Sequence, residues 1–214
     1  MPKVLIIGAS RGIGLETVKA ALGGGHKVRA LARSAAGIPI ENADLEKISG
    51  NALERDTITN ALEGVDVTIQ TLGVDISLRA IMEPTTLFSS STRILVDAMK
   101  AAGADRLIAV TGLGAGDSRG HGGILYDGIA FPLLLKRVYD DKDVQEWIIR
   151  SSRLDWTIVR PGLLTNRPPT GRYRILTAAK DWRFGLISRA DVADFIVRQI
   201  DDRTLIHATP LLIN

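Results

Sequence analysis

The run Gly8-Ala9-Ser10-Arg11-Gly12-Ile13-Gly14 constrains this chain more than any other segment. It follows directly on the apolar stretch 4–7, which reads as a first strand, and it opens a helical pattern over 12–22. A strand that passes into a helix through so few residues must turn sharply. A side chain at such a turn bars the close approach of a pyrophosphate; glycine does not, and the free N–H groups at the helix start attract an anion. The spacing is G-x-x-x-G-x-G rather than the commoner G-x-G-x-x-G. Glycines alone are weak evidence. Between a first strand and a first helix they predict a dinucleotide loop built on Gly8, Gly12 and Gly14.

The end of the second apolar run decides which dinucleotide. A chain that holds NAD usually sets Asp or Glu about 20 residues beyond the glycines, on the ribose 2′-hydroxyl. Here the region reads Ala32-Arg33-Ser34. A guanidinium cannot accept a proton from that hydroxyl, but its planar donors suit a phosphate. Arg33, with Arg11 as a second clamp from the glycine loop, therefore points to NADP(H) over NAD(H). The competing reading is a surface arginine without a ligand.

Apolar runs of strand length alternate with helical patterns along the chain. Strands are expected at 4–7, 28–31, 65–70, 106–110 and 156–159, with a weaker one at 47–49. Helices are expected at 12–22, 56–62, 84–102 with Pro84 in its first turn, and 133–152. Such alternation predicts right-handed βαβ units and a parallel sheet covered on both faces. Two stretches break it: 112–128, rich in glycine, and 161–171, which holds Pro161, Pro168 and Pro169 and reads as a loop. Both follow strands and so belong to the edge where open α/β sheets bind ligands.

Composition narrows the classes. At 45% hydrophobic and 24% charged residues, 214 residues suit one globular domain. With no cysteine, disulfides and thiolate metal sites are excluded. The first apolar run is too short for a signal-peptide core, and the run 129–135 falls far below a membrane span, so a soluble, cytoplasmic protein is expected. A net charge of +3 without any zinc-finger or aromatic-interleaved pattern argues against nucleic acid. The charge is nonetheless uneven: from 160 to 189 lie Arg160, Arg167, Arg172, Arg174, Lys180, Arg183 and Arg189 against the single acid Asp181. A substrate side so charged favours an anionic substrate; a plain solvated surface is the alternative.

Candidate catalytic side chains are sparse. Tyr139-Asp140-Asp141-Lys142 invites comparison with the Tyr-x-x-x-Lys pair of short-chain dehydrogenases, but its spacing is three rather than four. A solvated pair on one helix face competes with a catalytic one. Lys142 alone, as a ligand of the cofactor ribose, and Thr111 at a strand end complete the set. His26, His121 and His207 are isolated and form no metal spacing. Trp147, Trp156 and Trp182 read as packing residues, with Trp182 in a stretch able to wall a substrate pocket.

Together the glycine loop, Arg33, Thr71-Leu72-Gly73, Pro84-Thr85-Thr86, Ala98-Met99-Lys100-Ala101 and Arg160-Pro161-Gly162 resemble the atypical short-chain dehydrogenase/reductase family. Within it the chain is most similar to the biliverdin-IXβ reductases, also called flavin reductases, and their NmrA-like NAD(P)H-binding relatives. The likeness runs on through Thr170-Gly171-Arg172-Tyr173 and Ile187-Ser188 to Asp191. It implies one Rossmann-like domain over 1–214, doubly wound, with a substrate side formed by 112–140 and 161–189. It implies Ser10, Arg11, Gly12 and Ile13 on the phosphates, Arg33 on the 2′-phosphate, and Asn51 and Ala52 near the adenine. Leu72 and Gly73 would pass beneath the cofactor, Thr111 and Gly112 approach the nicotinamide, Lys142 face the cofactor, and Pro161, Gly162 and Leu163 border the nicotinamide. Biliverdin-IXβ reductases have serine in place of Gly112 and histidine in place of Leu163. Those departures point away from tetrapyrrole reduction and toward an acceptor that asks mainly for positioning. The implied activity is NADPH-dependent hydride transfer to a flavin or similar flat conjugated small molecule, by a monomer or small homo-oligomer. An NmrA-type redox sensor and an epimerase or dehydratase are the alternatives.

Overall fold

The computed structural model describes residues 1–74, 84–123, 128 and 135–214. In chain order these form β1 (Lys3–Ile7), α1 (Gly12–Gly23), β2 (Lys27–Ala32), β3 (Leu45–Ser49), α2 (Arg55–Ala61) and β4 (Val67–Gln70). Next come α3 (Leu87–Ala102), β5 (Arg106–Val110), α4 (Lys136–Arg150), β6 (Asp155–Pro161) and β7 (Leu163–Thr165). The chain ends with β8 (Arg174–Leu176), β9 (Leu186–Ser188), α5 (Arg189–Arg198) and β10 (Leu211–Ile213).

Eight strands make one sheet in the order β3-β2-β1-β4-β5-β6-β10-β8. All its neighbours run parallel except β8, which lies antiparallel on β10. A separate parallel pair joins β7 to β9. The order reverses at β1: the chain winds outward to β3, then returns to lay β4 on the other side. A crevice opens there at the carboxyl ends of the strands. Successive residues of β1 serve opposite layers. Val4 and Ile6 pack with Val18 of α1 and Phe195 of α5; Leu5 and Ile7 pack with Ile58 of α2 and Leu95 and Met99 of α3. Burial on both faces is why these strands are apolar throughout rather than alternating.

The doubly wound sheet with helices on both faces is the architecture expected from the sequence. Several boundaries differ. Pro84 lies outside α3, which begins at Leu87. Its N-cap, Thr86, makes no side-chain hydrogen bond to the first turn; Thr85 Oγ1 accepts from Leu87 N at 3.2 Å, and the Asp141 carboxylate of α4 takes the next donors, Phe88 N at 2.8 Å and Ser89 N at 3.3 Å. The expected helix start at 133–134 lies outside the described residues, as do 124–127 and most of the run 129–135. The stretch 161–171 is not all loop. Pro161 closes β6, a strand end where its missing N–H does no harm, and its carbonyl accepts from Leu113 N at 3.0 Å. β7 follows at once.

Candidate functional site

A cleft of about 1070 Å³ opens over the carboxyl ends of the central strands. At one end its wall carries Arg33, Asn51 and Ala52; then come Gly8, Ser10, Arg11, Gly12 and Ile13, with Leu72 and Gly73 beside them. At the other end it carries Thr111, Gly112, Tyr139, Lys142, Pro161, Gly162 and Leu163. One cleft thus gathers every expected site residue except Gly14. Gly14 faces inward: a Cβ there would overlap the Gly8 carbonyl and stand 2.7 Å from Thr71 Oγ1. Its smallness lets α1 dock on the sheet.

The glycine turn is shaped as its sequence requires. Gly8 has φ +89° and Gly12 φ +59°, and a Cβ on Gly8 would stand 2.9 Å from the Thr71 carbonyl oxygen. Arg11 occupies the N-cap of α1 without a side-chain hydrogen bond to the first turn. Among the described residues no side chain accepts from the first turn of α1, so that donor end stands beside the cleft, which suits an anion. Arg33 and Arg11 are exposed on the rim. The Asn51 side chain is engaged in its own turn, accepting from Leu53 N at 3.1 Å.

The other end is built differently, because its polar groups bind one another. Thr111 Oγ1 donates to Glu146 Oε1 at 2.8 Å. Glu146 also receives Arg160, through Nε at 2.9 Å and Nη2 at 2.5 Å, while Asp117 takes Nη2 at 2.6 Å. The Thr111 carbonyl accepts from Lys142 Nζ at 2.5 Å, and that ammonium lies 5.0 Å from the Phe88 ring and 5.2 Å from the Tyr139 ring. Burial pulls the Lys142 pKa down to about 8, with Glu146 opposing the shift. Gly112, at φ +151°, lies against the Tyr139 hydroxyl, which fills the room a Cβ would need. Across the Tyr-Asp-Asp-Lys run, Asp140 pairs with Lys136 and Arg119 on the surface, while Asp141 caps α3. Tyr139 and Lys142 alone line the cleft.

The sequence matches the NAD(P)H-binding family over residues 8–203. The chain belongs to that family. One curated relative, an uncharacterized sugar epimerase, YhfK of Bacillus subtilis (strain 168), is 35% identical over 108 residues, which are 50% of this chain and 44% of that protein. The chain thus aligns with less than half the length of that relative. Among solved structures, ChuY of Escherichia coli O157:H7, described as an anaerobillin reductase, superposes with a TM-score of 0.80 at 24% identity, over 100% of this chain and 97% of that one. A short-chain dehydrogenase/reductase from Veillonella parvula DSM 2008, in complex with NADP, gives 0.80 at 19% identity, over 100% and 94%. Both share the fold along its whole length.

Within this NAD(P)H-binding fold several sequence expectations change. Arg160 is no part of a basic substrate surface: it is 0% exposed and paired to Glu146 and Asp117. Arg167, Arg172, Arg174, Lys180 and Arg183 are exposed but not on the cleft wall; of the seven, Arg189 is. Trp147, expected to pack, is 63% exposed; Trp182 does pack, buried beneath the Arg160 guanidinium at 5.0 Å, and does not itself wall the cleft. His121 packs edge-on against Trp182 at 5.5 Å with its Nδ1 buried. Among the described residues no cluster of His, Asp and Glu forms a metal site, and no helix is long and apolar enough to cross a membrane. Among the wall residues that the sequence did not point to are Arg189 and the 43% exposed Phe184. The arginine was counted only as charge, and a lone Phe between Arg183 and Gly185 carries no pattern.

Proposed function

We propose that the chain is an NADPH-dependent reductase that passes hydride to a flavin or a similarly flat conjugated acceptor. The observation that carries this reading is the single cleft, which joins an anion-ready glycine turn and Arg33 to an open floor of Gly112, Pro161, Gly162 and Leu163. The glycine turn leaves room that a Cβ would fill, and among the described residues no side chain caps the donor end of α1, so the residues fit a dinucleotide. When bound, the reduced nicotinamide supplies the hydride. Arg33 and Arg11 hold the 2′-phosphate through charge-assisted hydrogen bonds, and the glycine turn holds the pyrophosphate. Lys142, fixed by the Thr111 carbonyl, presents its ammonium to the ribose hydroxyls. Leu163 and Phe184 offer apolar faces to a flat acceptor at the mouth and exclude water from its ring.

Thr111 spends its hydroxyl proton on Glu146, so it is not the acid. Positioning then carries the rate, and it can supply about 7–11 kcal/mol of a barrier; the proton that accompanies hydride comes from water. The Veillonella complex with NADP and the anaerobillin reductase of E. coli support the cofactor and a conjugated acceptor respectively.

The same engagement of Thr111 and Lys142 favours one competitor, an NADP(H) sensor of the NmrA type. An epimerase, the class named for the Bacillus relative, is less well supported, since Tyr139 and Lys142 stand three apart rather than four. NADPH oxidation measured against riboflavin, FMN, a linear tetrapyrrole and a quinone separates the readings. Turnover with at least one of them, faster with NADPH than with NADH, is the expected result. Tight NADPH binding with no turnover on any acceptor would select the sensor.

A further inference from the structure

We infer that Arg189 is a ligand of the dinucleotide pyrophosphate, closing on it from the late part of the chain opposite the glycine turn; this rests on reading the cleft as a dinucleotide site. Arg189 is the first residue of α5 and stands on the cleft wall. Its Nε lies 3.9 Å from the position of a Cβ built on Gly12, the first residue of α1. Two helix starts therefore meet at this point, each with the positive end of its dipole. An acid is the side chain that suits such a place, and a guanidinium adds a third positive feature to two.

Asp191 in the first turn of α5 and the Ser188 cap answer that helix's own dipole, and Glu16, which lines a small hollow with Gly12 and Arg189, pairs with Lys19. Among the described residues no carboxylate pairs with the Arg189 guanidinium. Among the described residues the partner of Arg189 is a neutral amide, with Nη1 donating to Asn166 Oδ1 at 2.7 Å. The nearest acid along the helix, Asp191, is fully occupied elsewhere. It accepts from Thr170 N at 2.7 Å, Gly171 N at 2.9 Å and Ser188 Oγ at 2.8 Å. That knot ties the segment after β7 to the start of α5, and so sets Asn166 and Arg189 beside each other before any ligand arrives. An arginine aimed at a glycine turn, tethered and, among the described residues, not ion-paired, is arranged for a diphosphate.

The pyrophosphate is common to both nicotinamide dinucleotides, whereas the 2′-phosphate belongs to NADPH alone. Equilibrium titration of the parent, Arg189→Gln, Arg189→Lys, Asn166→Ala and Arg33→Ala with NADPH and with NADH separates the two contacts. Arg189→Gln is expected to weaken both dinucleotides by the same factor, about tenfold to a hundredfold, as for a lost charge-assisted contact. Arg189→Lys is expected to recover part of the loss. Asn166→Ala, which removes only the tether, is expected to weaken both by a few-fold in the same proportion. Arg33→Ala is expected to weaken NADPH alone. Thermal unfolding of each variant checks that the fold survives. Unchanged affinity for both dinucleotides in Arg189→Gln overturns the inference, as does a loss confined to NADPH, which would place Arg189 on the 2′-phosphate. If the parent itself binds neither dinucleotide, the reading of the cleft fails; if it binds both and only Arg189→Gln is silent, the inference fails alone.

Discussion

The two ends of the cleft solve opposite problems. At the glycine end, Arg33 stands exposed and, among the described residues, no side chain accepts from the first turn of α1, so charge is held ready for a ligand. At the far end, Thr111, Lys142, Glu146 and Arg160 bind one another, and little beyond shape is offered to an acceptor. The contrast teaches that polar residues beside a reaction site are not by that fact its reagents. A buried arginine bound to a buried glutamate is expensive to break and sets geometry rather than reactivity. Four predictions probe that contrast.

The largest effect belongs to the glycine end. Gly14→Ala drives a methyl group into the Gly8 carbonyl and Thr71. It is expected to destabilise the fold by about 1–3 kcal/mol or more, and to displace the turn enough to abolish measurable dinucleotide binding. Chemical denaturation and NADPH titration read the two consequences. Next, Arg33→Ala is expected to cost about 1.5–3 kcal/mol of NADPH affinity and to leave NADH nearly unchanged. Equal losses for the two cofactors would remove Arg33 from the 2′-phosphate.

At the far end the expected effects are smaller, and one has the opposite sign. Unfolded, Lys142 keeps its proton up to the ordinary 10.5; folded, only to about 8. Between those values the unfolded state binds more protons, so native stability rises with pH across the window, and holding the charge costs stability below it. Lys142→Met is expected to be more stable than the parent by about 1 kcal/mol near neutral pH, the burial cost less the lost bond to the Thr111 carbonyl. That margin should narrow as pH rises from about 8 toward 10. Denaturation curves for both proteins across this range check the sign; a margin that widens instead would mean the ammonium stabilises the fold. Smallest of all, Tyr139→Phe is expected to leave flavin reduction within a few-fold of the parent. A loss of about a thousandfold, with NADPH affinity intact, would make the hydroxyl an essential acid and erase the contrast.

The same division describes what was legible in the sequence. The central strands and the glycine turn are local: an apolar run buried on both faces, then glycines between strand and helix, carry their meaning within a few residues. β8 and β10 have three residues each, too few to show a period, and β7 was masked by the proline beside it. α5 had a signal that went unused, since Ser188 accepts from Asp191 N at 2.9 Å and Asp191 stands three residues on, before an apolar run. Site residues that depend on distant partners were misread. Arg160 reads as one basic residue among seven until Glu146 and Asp117, from other elements, are seen around it. Arg189 gains its meaning only from Gly12, at the opposite end of the chain.

Most directly, the account stands on hydride leaving the bound nicotinamide for an acceptor in the same cleft. Protein preloaded with NADPH can be mixed without oxygen with a single equivalent of FMN, and both chromophores followed. The account predicts that NADPH and flavin absorbance fall together in one phase, and that the phase slows when the transferred hydrogen is deuterium. NADPH that remains bound and reduced, beside FMN and beside a linear tetrapyrrole alike, would contradict it.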